Sequence, residues 1–435
     1  MNRIILIGNG FDLAHGLRTK YENFLDDYWR KKSDKIAKES SFEYEDNDIR
    51  IQITRGKSLS EYWSPSSDLI HSYYDFKEHM YKVQESMDRG YRIYPWNYFT
   101  YYNKFLEKIT DKHSLVNWVD IEEEYYKLLQ EIIDKNIPNN KKTYTDIEWL
   151  NSDFSRIKKD LVSYLLEETT KEIRDGAIEF VDSTINENIY SEFELRDFTK
   201  EGVNGLVDEK YQDYLVECRF GIRIPLRDEW QQSKNLSSLA SYPTDKDYFD
   251  RNIRNGEEKL MPLRNILFLN FNYTKTESKY NEYEDVETQT IHIHGELNNP
   301  NNPVIFGYGD EIGKEYEEIK NLNDNNFFEN IKSKRYSDTS NYKRLMDYID
   351  SDKYQIFLFG HSCGLSDRTL LNKLFEHENC VSIKPFYHIK KDGTDNYHDI
   401  VRNISRHFGD EAMMRKKVVN KEYCRPLSKN TNLYK

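Results

Sequence analysis

Cysteine is scarce in this 435-residue chain: four residues, at positions 218, 363, 380 and 424, with no C-x-x-C pair. That spacing excludes a zinc ribbon and offers no disulfide framework, so free thiols in a reducing compartment are expected. Long apolar runs are missing too. The chain opens with only four consecutive aliphatic residues, Ile4 to Ile7, before Gly8-Asn9-Gly10. A signal peptide needs a longer apolar core, and no stretch approaches the ~20 apolar residues of a membrane span, so a cytoplasmic protein with no membrane partner is expected. Positive charge is in deficit, with 63 Lys and Arg against 76 Asp and Glu and a net charge of −13. Phosphate binding draws on clustered Lys and Arg, so a general nucleic-acid coat is not expected. Basic runs such as Lys31-Lys32 and Arg415-Lys416-Lys417 read as solvated surface.

Only 37% of the residues are apolar, but 34 Tyr and 22 Phe are present. A tyrosine buries a large ring while its hydroxyl keeps a hydrogen bond, so such a chain still builds cores. Ile4 to Ile7, unbroken by polar residues, fits a strand buried on both faces of a parallel sheet. Thr19-Lys20-Tyr21-Glu22 has a capping-box pattern, which predicts a helix from near Lys20 through Trp29. From about 31 to 260 helical spacing takes over. Trp118, Ile121, Tyr125, Leu128, Leu129 and Ile132 share one helix face, and Phe154, Ile157, Leu161, Tyr164 and Leu165 another. Strand signals return at 265–269, 290–294, 304–306, 354–359 and 381–389. Residues 1–30 are too few to fold alone, so their strand must join the later sheet. The expected fold is an α/β, Rossmann-like parallel-sheet core made of residues 1–30 and 261–420. A mainly helical insertion (31–260) interrupts it, and a tail (421–435) follows.

Four segments carry candidate chemistry. Gly8, Asn9, Gly10, Phe11 and Asp12 follow a buried strand, where a glycine pair lets backbone amides approach a phosphate. The third glycine of a dinucleotide fingerprint is replaced by Leu13, and no G-K-[ST] follows, which excludes a P-loop. An ordinary strand-to-helix turn is the competing reading. Asn270 and Asn272 end a hydrophobic strand, where amides hold sugar hydroxyls or a water, or else cap a loop. His292 and His294 share one strand face. His292 reads as a hydrogen-bonded core residue, whereas His294, before Gly295, stands where a general base would meet a ligand. No further metal ligands can be identified around them, and no metal is expected. Gly360-His361-Ser362-Cys363-Gly364 matches a nucleophile elbow, with Asp392 or Asp399 and His398 or His407 as candidate partners, so a serine hydrolase using Ser362 is a rival reading. Against it, the next helix reads as starting after Ser366 or Asp367. Glu122 could reach the cleft from the insertion, but beside Glu123 and Glu124 a solvated helix face is the favoured reading.

Together, Ile7 to Gly16, Leu269 to Thr274, Ile291 to Gly295, Phe306-Gly307 and Gly360 to Asp367 resemble the bacteriophage abortive infection AbiH family, in the expected order across nearly the whole chain. AbiH proteins are in turn similar to sirtuin-like NAD-consuming domains. The resemblance implies an antiphage effector that binds NAD or a related nucleotide and hydrolyses its nicotinamide N-glycosidic bond. It implies that Gly8 to Asp12 hold the dinucleotide, and that Asn272 contacts the ribose and the attacking water. It also implies that His294 is the base, and that Gly360, Ser362 and Asp367 bind the adenosine part. A phage-encoded trigger and a homo-oligomer are compatible with it. With no cysteine quartet, deacetylation is not expected. Asp12, which would repel a phosphate, and Thr274, where an Asp is usual, motivate an alternative: a non-catalytic nucleotide sensor in a defence system.

Overall fold

Strand β1 (Asn2–Ile7) is buried along all six residues, a condition met only at the centre of a sheet covered on both faces. In the computed structural model it is the central strand. The structure describes residues 1–38, 43–53, 97–111, 118–175, 182–222, 245–254, 263–280, 286–309, 311 and 314–429. The other strands of this sheet are β2 (Asn265–Asn270), β3 (Glu287–His292), β4 (Tyr354–Phe359) and β5 (Cys380–Phe386). They lie in the order β3-β2-β1-β4-β5, every neighbouring pair parallel. β1 pairs β2 with Ile4 opposite Leu267, and β4 with Ile4 opposite Ile356. The order reverses between β1 and β4, the point beyond whose carboxyl ends open parallel sheets form a ligand crevice.

The pleat sends alternate β1 side chains to opposite faces. Ile4 and Leu6 pack with Leu345, Tyr348, Leu370 and Ile404 from helices on one side. Ile5 and Ile7 pack with Phe11, Ile185, Ile189 and Tyr280 on the other. There the short helix α1 (Asn9–Ala14) follows β1, where only a turn was expected. A second core lies beside the sheet. It joins α2 (Tyr21–Lys38), α3 (Lys104–Asp111), α4 (Trp118–Ile133) and α5 (Ile147–Asp175). The predicted apolar faces of α4 and α5 are buried there, Ile121, Tyr125 and Leu129 against Phe154, Ile157 and Leu161. Residues 304–308 thread into it: Phe306 stacks on Phe154 with ring centroids 5.1 Å apart, and Tyr308 on Tyr126 at 4.2 Å.

One expectation needs correction. Val304 to Phe306 is no strand. After Pro303, which has no N–H to give a ladder, the Ile305 N–H donates to His294 O at 2.7 Å, and the segment crosses from one core to the other. The insertion is mainly helical as expected, and it also carries a small sheet. Glu43–Glu45, Ile49–Ile53 and Asn97–Tyr101 form a three-stranded antiparallel sheet. Its middle strand reads Ile-Arg-Ile-Gln-Ile, the period-two alternation of a strand. No helix among the described residues is long and apolar enough to cross a membrane, and all four cysteines are free.

Ile5 is fully buried at the centre of the sheet. Ile5→Ala should lower the unfolding free energy by about 2–5 kcal/mol in urea titrations, the range for truncating a packed core aliphatic.

Candidate active site

A cavity of about 480 Å³ opens at the carboxyl ends of β1, β2 and β4. The sheet topology brings nine of the predicted residues to its wall: Gly8, Asn9, Gly10, Asp12, Asn272, His294, Gly360, Ser362 and Asp367. Phe11 is not among them. Its ring is fully buried under α1, 6.3 Å from Phe359 and 5.9 Å from Tyr280, so it packs the sheet instead of meeting a ligand.

The glycines serve close contact between two loops. The N–H of Gly8 donates to Phe359 O at 3.1 Å, that of Gly10 to Gly360 O at 2.9 Å, and that of Phe11 to Gly8 O at 2.8 Å. A Cβ on Gly10 would stand 2.8 Å from Gly360 Cα, and one on Gly360, whose φ is +71°, 2.2 Å from Phe11 N. These amides are engaged within the fold. Asn9 Oδ1 accepts from Thr19 Oγ1 at 2.5 Å. Asp12 is 2% exposed; its Oδ2 accepts from Thr274 Oγ1 at 2.7 Å, and its Oδ1 has no hydrogen-bond partner among the described residues. Burial pushes this carboxyl up to about 6, against the hydrogen bonds from Thr274 and Thr276.

Asn272 is set by its neighbours. Its Nδ2 donates to Gly8 O at 3.0 Å and its backbone N–H to Asn270 Oδ1 at 2.8 Å. Asn270 in turn donates to Glu277 Oε2 at 2.7 Å, and Glu277 Oε1 lies 2.9 Å from His292 Nε2. Burial disfavours charge on His292, but the Glu277 carboxylate outweighs it and raises the imidazole above its ordinary value. His292 thus braces the loop from beneath, as a core histidine.

His294 faces a buried charge cluster. Its Nε2 lies 3.2 Å from Asp367 Oδ1 and 3.3 Å from the Tyr336 hydroxyl. The Lys332 ammonium donates to Asp367 Oδ1 at 3.0 Å and to Glu122 Oε2 at 2.8 Å. His361 Nδ1 accepts from the Cys363 N–H at 3.0 Å, while its Nε2 stands 3.7 Å from Asp367 Oδ2. Burial and the Lys332 charge push His294 below its ordinary value, and burial takes His361 down to about 4, so both are neutral imidazoles. Burial alone would raise Asp367, yet the Lys332 ammonium, helped by the hydrogen bond with His294, holds it well below the carboxylate range. Glu122 is pushed up to about 7 by burial, with Asp367 adding to the rise and Lys332 opposing it.

Glu122 therefore corrects the expectation of a solvated helix face: it is 4% exposed and lines the cavity. Ser362 also lines the cavity, but the elbow geometry does not form. The positive φ falls on Gly360 and Cys363, and the next helix begins at Arg368. His407 Nε2 is bonded to Cys363 O at 2.8 Å, Asp399 pairs with Arg402, and Asp392 closes a turn with Thr394. Lys332, His361, Tyr273 and Tyr336 are members of the site that sequence reasoning missed. No three or more His, Cys, Asp or Glu side chains among the described residues could hold a metal ion together.

The fold and this site define a doubly wound α/β protein with an enclosed acid–base cluster at its topological switch point, closed over by a helical insertion. The chain belongs to the bacteriophage abortive infection AbiH family, whose model matches residues 4–388. Neither the curated proteins nor the solved structures gave a match. Family membership gives it a role in abortive infection by phage.

Asp12 binds its proton more tightly in the folded chain than in the unfolded one. Its full contribution is present below the ordinary carboxyl range and is lost as pH rises through about 6. Asp12→Asn, which cannot ionise, should gain about 1 kcal/mol relative to the wild type between pH 5 and pH 8 in urea unfolding. A constant difference across that range contradicts the assignment.

Proposed function

We propose that this protein is an abortive-infection effector that hydrolyses the N-glycosidic bond of NAD or a related nucleotide in this cleft. One observation carries the reading. An amide (Asn272), a neutral imidazole (His294) and an ionised carboxylate (Asp367), drawn from three separate segments, line a single cavity of about 480 Å³ at the switch point. That volume lies within the ~300–1,000 Å³ range of small-molecule sites.

Cleaving the nicotinamide–ribose bond passes through an oxocarbenium-like state, from which nicotinamide departs uncharged. The work left to the protein is to orient the sugar, exclude bulk water and move one proton. Pinned to Gly8 O, Asn272 presents its carbonyl oxygen to a sugar hydroxyl or the attacking water. His294, kept neutral by burial and Lys332, accepts the proton of that water. Asp367 holds negative charge where positive charge develops on the sugar. In this reading Ser362 is a ligand-binding hydroxyl at the open side of the cleft.

Purified protein incubated with NAD, with and without extract of phage-infected cells, should release nicotinamide on chromatographic analysis. His294→Ala and Asn272→Ala should each lower the rate by about 100-fold or more, the scale of one lost proton-transfer or positioning group. A rate unchanged in His294→Ala contradicts the mechanism. Tight nucleotide binding without turnover would assign a sensing role instead.

A further inference from the structure

A cationic nicotinamide needs no proton to leave. A neutral purine does, because otherwise it departs as an anion, so a proton donor in the cleft points beyond NAD. We infer that the cleft also cleaves N-glycosides whose leaving base is neutral, the purine nucleotides, with Glu122 as the proton donor to the departing base. The inference rests on the reading of the cleft as an N-glycoside hydrolase and deepens it by naming a substrate class.

The geometry at Glu122 supports a donor. α4 carries the side chain into the cavity wall, where Oε2 accepts from Lys332 Nζ at 2.8 Å. Oε1 receives the Gly307 N–H at a long 3.5 Å, the Ser366 hydroxyl also lies within reach of the carboxyl, and Oε1 is the oxygen able to carry a proton. The ionisable groups facing Glu122 are Lys332, Asp367 and the hydroxyls of Tyr273 and Tyr336, both of which stay protonated because burial raises them. One ammonium cannot neutralise two carboxylates. Asp367 also has His294 and His361 beside it, so it holds the charge and Glu122 holds the proton. The pKa of Glu122 at about 7 agrees with that division. Two carboxyl groups with separated proton affinities are the arrangement glycoside-cleaving enzymes use for acid and charge-stabilising roles.

The reaction balances as a hydrolysis. The C1′–N bond breaks with its electron pair going to the base, and the Glu122 proton adds to a ring nitrogen. Water adds through oxygen to C1′ and gives its proton to His294. Proton exchange with solvent then restores both groups. A structural role for Glu122 would instead slow every substrate alike.

The test compares guanosine 5′-monophosphate with its 7-methyl derivative, whose base is already cationic, using the full chain with and without extract of phage-infected cells. Wild type should release guanine at a rate that falls above pH ~7. Glu122→Gln should lower the guanosine monophosphate rate by about 100-fold or more and abolish that alkaline fall. Its loss on the 7-methyl substrate should be smaller by at least about tenfold, because no proton is needed there. Equal losses on both substrates overturn the inference. So does a wild type that releases nicotinamide from NAD but no guanine. Release of no base from any of the three, NAD included, overturns the N-glycosidase reading itself.

Discussion

One buried ammonium ties this molecule together. Lys332 lies between Asp367, from the loop after β4, and Glu122, from a helix of the insertion. Taking the Lys332 and Asp367 charges out of water costs several kcal/mol each, and their mutual attraction offsets this only when the geometry is good. The arrangement therefore adds little net stability as a whole. Its effect is to fix position, because removing Lys332 or Asp367 leaves a buried charge unpaired, and removing Glu122 takes away the insertion's hydrogen bond to the ammonium. Helical insertion and parallel sheet are held in one relative placement by it, and the cavity between them keeps its shape.

The same interaction sets the chemistry. Because the Lys332 ammonium and the hydrogen bond with His294 act on Asp367, that carboxylate stays ionised, while burial raises Glu122 to about 7. His294 is kept neutral by burial and the same ammonium. An ionised carboxylate, a carboxyl group raised to about 7 and a neutral imidazole thus occupy one wall without any metal ligand set among the described residues. On the opposite side the interlocked glycines of the β1 and β4 loops bring Asn272 and Asp12 to the cavity.

Much of the sheet was legible from residues alone. Four consecutive aliphatics at Ile4 can be buried only in the middle of a parallel sheet, and the short segment 1–30 forces that strand to pair with later ones. The ends of those strands point to Asn272 and His294 as candidate site residues, whereas Asp367 follows from the family resemblance of Gly360 to Asp367. What escaped was long-range or hidden by composition. Lys332 sits in a basic run, Lys-Ser-Lys-Arg, and its partners are 210 and 35 residues away. Glu122 looked solvated among acidic neighbours, yet it stands three, four and seven residues before Tyr125, Tyr126 and Leu129, all buried, and so lies on their face. Phe11 lies in a glycine loop motif by sequence, yet an aromatic in the first turn of a helix that caps a sheet belongs to the core. The Ile49 to Ile53 alternation is a short strand signal set within a segment of mainly helical character.

The most direct measurement is a double-mutant cycle between Glu122→Gln and Lys332→Met, read by urea unfolding near pH 8, where Glu122 is ionised. A coupling of about 2 kcal/mol, toward the upper end of what contacting residues show, is the expected result. Coupling below about 0.5 kcal/mol, the level of independent sites, would mean that the insertion and the sheet are not joined through this ammonium.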